Sequence, residues 1–186
     1  TLDSAADGML VCGLDRRVRA FNQRLAQLWN LPRQLLVERD DAAVYAFMAD
    51  QVSDPRFYAE RLAAIDREPM QESTDIVELR NGVVLEMRTV PQFSQGRAVG
   101  RVYSFRDITR QTETQASLRL AARVFESSLD AIFIADSQHR IMRMNPGCER
   151  LVGPTAKGFE GCVAASLFGG GSDASFMEQV LQGWAK

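Results

Sequence analysis

The segment VGRVYSFRDITRQ, Val99 to Gln111, begins as a strand and ends as something else. Val99, Arg101, Tyr103 and Phe105 alternate with Gly100, Val102, Ser104 and Arg106, the period-two signature of a pleated strand. Asp107-Ile108-Thr109 breaks the alternation. The run that follows, RQTETQASLRLAARVFESS from Arg110, has helical composition. A strand therefore leaves its sheet through Asp-Ile-Thr straight into a long helix, with Asp107 or Thr109 placed to cap it.

Two more strands lie upstream. STDIVEL (from Ser73) and VVLEMRTV (from Val83) flank Arg80-Asn81-Gly82. Asn-Gly is a strong hairpin signal because both residues tolerate positive φ. A second turn, SQGR from Ser94 to Arg97, leads back to the opening segment. Ahead of this three-strand meander, Ser53-Asp54-Pro55 reads as a helix start, and Phe57, Leu62 and Ile65 follow near helical spacing.

The beginning of the chain occurs twice. LDSAADGMLVCGLDRRVRAFNQRLAQLW from Leu2 aligns without a gap onto FESSLDAIFIADSQHRIMRMNPGCERLV from Phe125, an offset of 123 residues, as from Asn22 to Asn145. Ser4, Asp7, Arg17, Asn22 and Leu28 match Ser127, Asp130, Arg140, Asn145 and Leu151, and the apolar positions coincide. A period this long means two similar domains rather than a solenoid. Each copy reads as two short strands (Met9–Cys12 and Val18–Phe21; Ile132–Ala135 and Ile141–Met144), then a helix capped by Asn22 or Asn145. Pro146 suits the first helical position. Leu25, Leu28 and Trp29 form one buried face, repeated by Cys148, Leu151 and Val152. The first copy then has five strands, two before the helices and three after. This is an α+β arrangement, an antiparallel sheet with helices on one face. The second copy lacks the last three strands and is expected to be poorly ordered or to borrow a partner. Its tail offers a GGGSD loop at Gly169–Asp173 and a short helix near Phe176–Leu181.

Size and charge narrow the function classes. The chain has 186 residues, 46% hydrophobic and 25% charged, with a net charge of −2. These are globular values, and they point to neither nucleic acid nor an acidic membrane surface. The longest apolar run, Ala42–Ala49, is far short of the roughly 20 residues that span a bilayer. There is no signal peptide and no initial Met. The expectation is a cytoplasmic portion of something longer. Cys12, Cys148 and Cys162 show no CxxC spacing and read as reduced cysteines, with Cys148 filling the place of Leu25 in a core.

Two strands, an Asn-capped helix and a meander closing on Asp107-Ile108-Thr109 resemble a PAS domain. The carrying residues are DGMLVCGLDRRVRAFNQRLAQLW, VELRNGVVLEMRTVPQ and GRVYSFRDITRQ in the first copy, and RVFESSLDAIFIADSQHRIMRMNPGCERLVG in the second. The resemblance implies a five-stranded antiparallel PAS fold over residues 1–109, a signalling helix over 110–124 and the start of a second PAS domain over 125–186. It places the last strand mid-sheet beside a ligand cavity, with Asp107, Ile108 and Thr109 at the signal-transfer junction. It also implies a sensory module of a bacterial signalling protein, passing a small-ligand or redox signal to an output domain in the same chain. Cyclic-di-GMP enzymes of the GGDEF and EAL type are the favoured output. The alternatives are a ligand-free dimerisation or docking module and the input region of a sensor histidine kinase. Leu118, Ala121, Ala122, Phe125 and Leu129 sketch a seam through which the helix would form a homodimer.

No catalytic constellation is legible, so the chain is not read as an enzyme. The one histidine, His139, falls in a polar turn, and the first domain has none. RRVR at Arg16–Arg19 reads as a solvated edge. The Asn-Cys-Arg motif of flavin-photoreceptor PAS domains is missing around Cys162, and no helical histidine is placed to ligate haem. A small organic ligand, or none, is left. A cavity between sheet and helices would be lined by Trp29, Phe47, Met48, Phe57, Leu85, Met87 and Tyr103, with Arg88 and Tyr103 as polar groups; each apolar member reads equally as plain core.

Overall fold

The computed structural model describes residues 5–38, 40–153 and 156–168. They divide into two compact units, with the boundary between Thr114 and Gln115.

In the first unit, β1 (Gly8–Gly13) and β2 (Val18–Phe21) are followed by α1 (Gln23–Leu28), α2 (Arg33–Glu38), α3 (Asp41–Gln51) and α4 (Pro55–Arg67). Then come β3 (Ser73–Glu78), β4 (Val84–Ser94) and β5 (Arg97–Asp107). The sheet is antiparallel throughout, in the order β2-β1-β5-β4-β3. The strand that ends in Asp107 is therefore central. Its neighbours are the strand nearest the N-terminus and the middle strand of the meander.

Local chemistry sets each boundary. Asp40 and Asp54 accept the free amides of Ala43 (3.0 Å) and Phe57 (2.9 Å), and Pro55 opens α4. Gly82 (φ 86°) turns β3 into β4. Gln95 (φ 48°) and Gly96 (φ 76°) turn β4 into β5 with two successive left-handed residues, the twist a tight hairpin requires.

One asparagine ties the first three elements together. The Oδ1 of Asn22 accepts from the amides of Met9 in β1 (2.8 Å) and Leu25 in α1 (3.0 Å). Its Nδ2 donates to the carbonyl of Asp7 (2.9 Å). The side chain is fully buried, so each bond replaces water that cannot enter.

The core lies between the inward face of the sheet and α1, α3 and α4. Leu10, Leu85, Met87 and Phe105 from the strands meet Leu25, Trp29, Val44, Met48, Tyr58 and Ile65 from the helical layer. Trp29 sets its ring edge-on to Phe105, 5.3 Å between centroids, an arrangement worth about 1 kcal/mol beyond its burial. On α4 it is Tyr58, not Phe57, that faces inward. Tyr58 and Ile65 are buried with Leu62 half-buried between them, and Phe57 is left 46% exposed one step around the helix.

Helix α5 (Thr109–Ser127) leads out of the first unit. In the second, β6 (Phe133–Ala135) pairs with β7 (Ile141–Met144), and α6 (Pro146–Val152) follows. The duplication holds at atomic level. Asn145 accepts from Ile132 (2.8 Å) and Cys148 (3.1 Å) and donates to Asp130 (2.9 Å), the counterparts of Met9, Leu25 and Asp7. His139 (φ 59°) takes the left-handed turn position of Arg16 (φ 61°). Cys148 is buried as Leu25 is. Leu151 departs from the expected buried face: it is 77% exposed, because among the described residues no third strand stands beside this pair for it to pack on. The GGGSD segment and the helix expected near Phe176–Leu181 lie outside the described residues.

Asn22→Ala is expected to cost roughly 2–4 kcal/mol in urea unfolding, because it strands two buried amides and one carbonyl at once. Asn22→Asp should fall between, keeping both acceptor bonds and losing the donor. A cost below about 1 kcal/mol for the alanine variant would remove the clamp from its structural role.

Candidate functional site

The junction at the end of β5 is built from two side-chain groups, the backbone between them and one neighbouring strand. Asp107 Oδ1 accepts from the Thr109 amide (3.0 Å) and the Thr109 hydroxyl (2.6 Å). That hydroxyl oxygen in turn accepts from the amide of Val84 (2.9 Å), the first residue of β4. The Ile108 amide donates to the Val84 carbonyl (2.9 Å). The start of α5 is therefore clamped to β4 through both polar groups of one residue. The Thr109 hydroxyl and amide together hold the Asp107 carboxyl below its ordinary value of 3.8.

Six residues further back on the same strand lies a hollow of about 200 Å³. β5 contributes Arg101 and Tyr103, β1 contributes Cys12, α3 contributes Tyr45 and α4 contributes Leu62 and Asp66. Gly13, Leu14 and Arg16 close it from the β1–β2 turn, and Pro69 closes it from the chain after α4. Arg16 and Asp66 form an ion pair across its mouth. The Cys12 thiol donates to the Arg101 carbonyl (3.9 Å), and Tyr45 lines the hollow beside it. Burial pushes the Cys12 thiol up, so it is a neutral thiol rather than a thiolate at pH 7. Burial likewise raises Tyr45, and takes Tyr103 to about 12. Both phenols are therefore protonated donors.

A wider groove of about 430 Å³ runs between β2 and the helices, past Leu31 and Val44. It touches the edge of the sheet and not β5. Among the described residues there is no cluster of three or more potential metal ligands, and no helix is long and apolar enough to cross a membrane.

The description "PAS fold" matches residues 2–116, and a second description, "PAS domain", matches residues 119–179. The chain belongs to the PAS family. No curated protein matches it. Among solved structures it resembles the sensor region of a sensor histidine kinase, at 20% identity and a TM-score of 0.43, over 58% of this chain and 41% of that one. It also resembles the PAS domain of BvgS from Bordetella pertussis, at 14% identity and a TM-score of 0.44, over 66% and 91% of the two chains. A domain of a putative light and redox sensing histidine kinase from Haloarcula marismortui matches at 14% identity and a TM-score of 0.43, over 57% and 92%.

The PAS sheet separates the residues expected to line a cavity. Tyr103 lines the hollow. Trp29, Met48, Leu85 and Met87 are fully buried core, and Phe47 packs against them half-buried. Arg88 points to the opposite face, because it is one residue out of phase with Met87, and it pairs there with Glu72 at 3.0 Å. Phe57 borders a separate shallow hollow beside Ile76. Cys12, Tyr45 and Arg101 join the hollow without belonging to the set expected from the sequence. One signal for Arg101 is present in the sequence: it shares the inward period of Tyr103 and Phe105, where an arginine is out of place.

The Asp107 clamp makes a pH prediction with a definite sign. A carboxyl whose folded value is depressed stabilises the fold above the ordinary range, and that contribution is lost as pH falls through the folded value. An NMR titration of the Asp107 carboxyl should give a midpoint under 3.8, and Thr109→Val should move it up toward that value. An unmoved midpoint in Thr109→Val would show that the two residues are not coupled. The same variant leaves the Val84 amide without its acceptor, which should cost about 1–3 kcal/mol.

Proposed function

We propose that this chain is a sensory module in which occupation of the Cys12–Tyr103 hollow is passed along β5 to α5. One observation carries the reading: Arg101 and Tyr103, which line the hollow, and Asp107, which clamps the start of the helix, lie on the same strand. That strand is hydrogen-bonded on both sides, to β1 and to β4. A shift at Tyr103 is therefore carried lengthwise instead of being absorbed at a free edge. The signal is a small molecule. A redox signal through Cys12 is the weaker version, since a buried thiol held protonated reacts slowly with oxidants.

Downstream, the output is an enzyme domain for cyclic-di-GMP turnover, with a sensor histidine kinase as the alternative. Support for the former is the likeness of Arg123–Gly153 in sequence to PAS units that precede GGDEF domains. The protein acts in the cytoplasm, in keeping with three free cysteines. It acts as a homodimer. Helix α5 exposes Leu118 (66%), Leu120 (64%) and Val124 (58%), and a solvated helix of 19 residues is marginal without a partner.

A ligand-free docking module is the second reading, favoured by the dense packing of Trp29, Met48, Leu85 and Met87. Native mass spectrometry of the purified chain, with an absorbance spectrum on the same sample, separates the two. The expected result is an adduct that is lost on denaturation. A clean apo mass with no band beyond the protein's own turns the assignment to docking.

A further inference from the structure

We propose that the hollow takes a small monoanionic carboxylate with a short apolar tail, which serves as the counter-ion to Arg101. The inference deepens the sensory reading and rests on it only in treating the hollow as a ligand site.

Arg101 is 4% exposed. Its Nε donates to the Thr89 hydroxyl (3.0 Å), its Nη1 to the Glu68 carbonyl (3.2 Å) and its Nη2 to the Gln71 carbonyl. All three acceptors are neutral. A guanidinium carries five N–H donors and does not deprotonate in proteins, so these three bonds leave its charge without an anionic partner. Buried charges are as a rule paired. Among the described residues no carboxylate forms an ion pair with this one. Asp66 is committed to Arg16, Glu72 to Arg88 and Asp75 to Arg61, and the Glu68 side chain is turned to solvent.

The lining specifies the ligand further. Among the lining residues Arg16 and Asp66 cancel, which leaves Arg101 as the one unmatched charge of the lining. Asp41 stands behind Tyr45 with its carboxylate accepting from the Val18 amide (3.0 Å), and Arg101 also borders a second hollow beside Glu68 and Glu72. A monoanion matches the charge of Arg101 and a dianion exceeds it. The phenols of Tyr45 and Tyr103 add neutral donors, and Leu14, Leu62 and Pro69 offer apolar surface to a hydrocarbon tail. About 200 Å³ holds roughly seven groups of water size at about 30 Å³ each. Hexanoate is of that size and charge.

The test is calorimetric titration of the whole chain with sodium hexanoate, with hexanamide and with inorganic phosphate, each to about 10 mM at fixed ionic strength. Hydrogen exchange at Ile108–Thr112 is read on the same samples. Hexanoate is expected to bind, with hexanamide at least about 10-fold weaker, since a charged partner is worth that much over a neutral one. Phosphate should bind more weakly than hexanoate. Leu62→Trp, which fills the hollow and leaves Arg101 in place, should abolish hexanoate binding while the protein still melts cooperatively. Equal affinity for acid and amide, no heat with hexanoate, tighter phosphate, or binding that survives Leu62→Trp would each overturn the assignment. Hexanoate binding that leaves exchange at Ile108–Thr112 unchanged supports the anion site and removes the sensory reading. Equal binding of acid and amide that slows this exchange does the reverse.

Discussion

The fold depends on a carboxamide that is used at both ends. Asn22 must accept from two amides and donate to a carbonyl. Aspartate cannot donate and serine cannot span the three groups, so this position requires a side chain that does both. The bonds fix β1 against α1 before any long-range pairing is considered. β1 is also the strand on which β5 is laid, so the helix cap and the central pairing of the sheet share one anchor. Asn145 builds the same clamp from the same relative positions, and this explains why the second unit keeps its strand–strand–helix start without an extended sheet.

The parts of the structure set by neighbouring residues are legible in the sequence. Asn-Gly at Asn81, the polar turn at Gln95, and the caps at Asn22 and Asp54 act over two to four residues, and each appears where residue chemistry places it. The candidate site is different. Cys12 and Arg101 are 89 residues apart and become neighbours only through the β1–β5 register, which pairs them directly. Nothing local announces that. Arg88 is expected as one of a few convergent polar groups in a cavity, yet the pleat sends it to the other face. Leu151 misled for a related reason. Its helical phase is right, but burial needs a partner surface as well as a phase.

Close packing also marks the end of the β1–β5 pair at which the hollow lies. Gly100 faces Gly13 across the β1–β5 pair, and a Cβ at Gly100 would come within 2.3 Å of the Cys12 carbonyl oxygen. The two strands can approach this closely only because a side chain is missing. The hollow begins beside this pair, where Cys12, Gly13 and Arg101 line it. In the rest of the inward face, Leu85, Met87 and Phe105 leave no such gap. The hollow thus sits at the one end of β5 where glycine replaces bulk, and the helix junction sits at the other.

For a module that passes on a signal, the Thr109 hydroxyl is the natural breaking point. It donates to Asp107 and accepts from Val84, and these two bonds polarise each other. A lengthwise shift of β5 against β4 strains the two bonds that cross between them, Val84 amide to Thr109 hydroxyl and Ile108 amide to Val84 carbonyl. A signal carried by β5 under the proposed function would act here, by favouring or opposing the clamped arrangement that holds the start of α5.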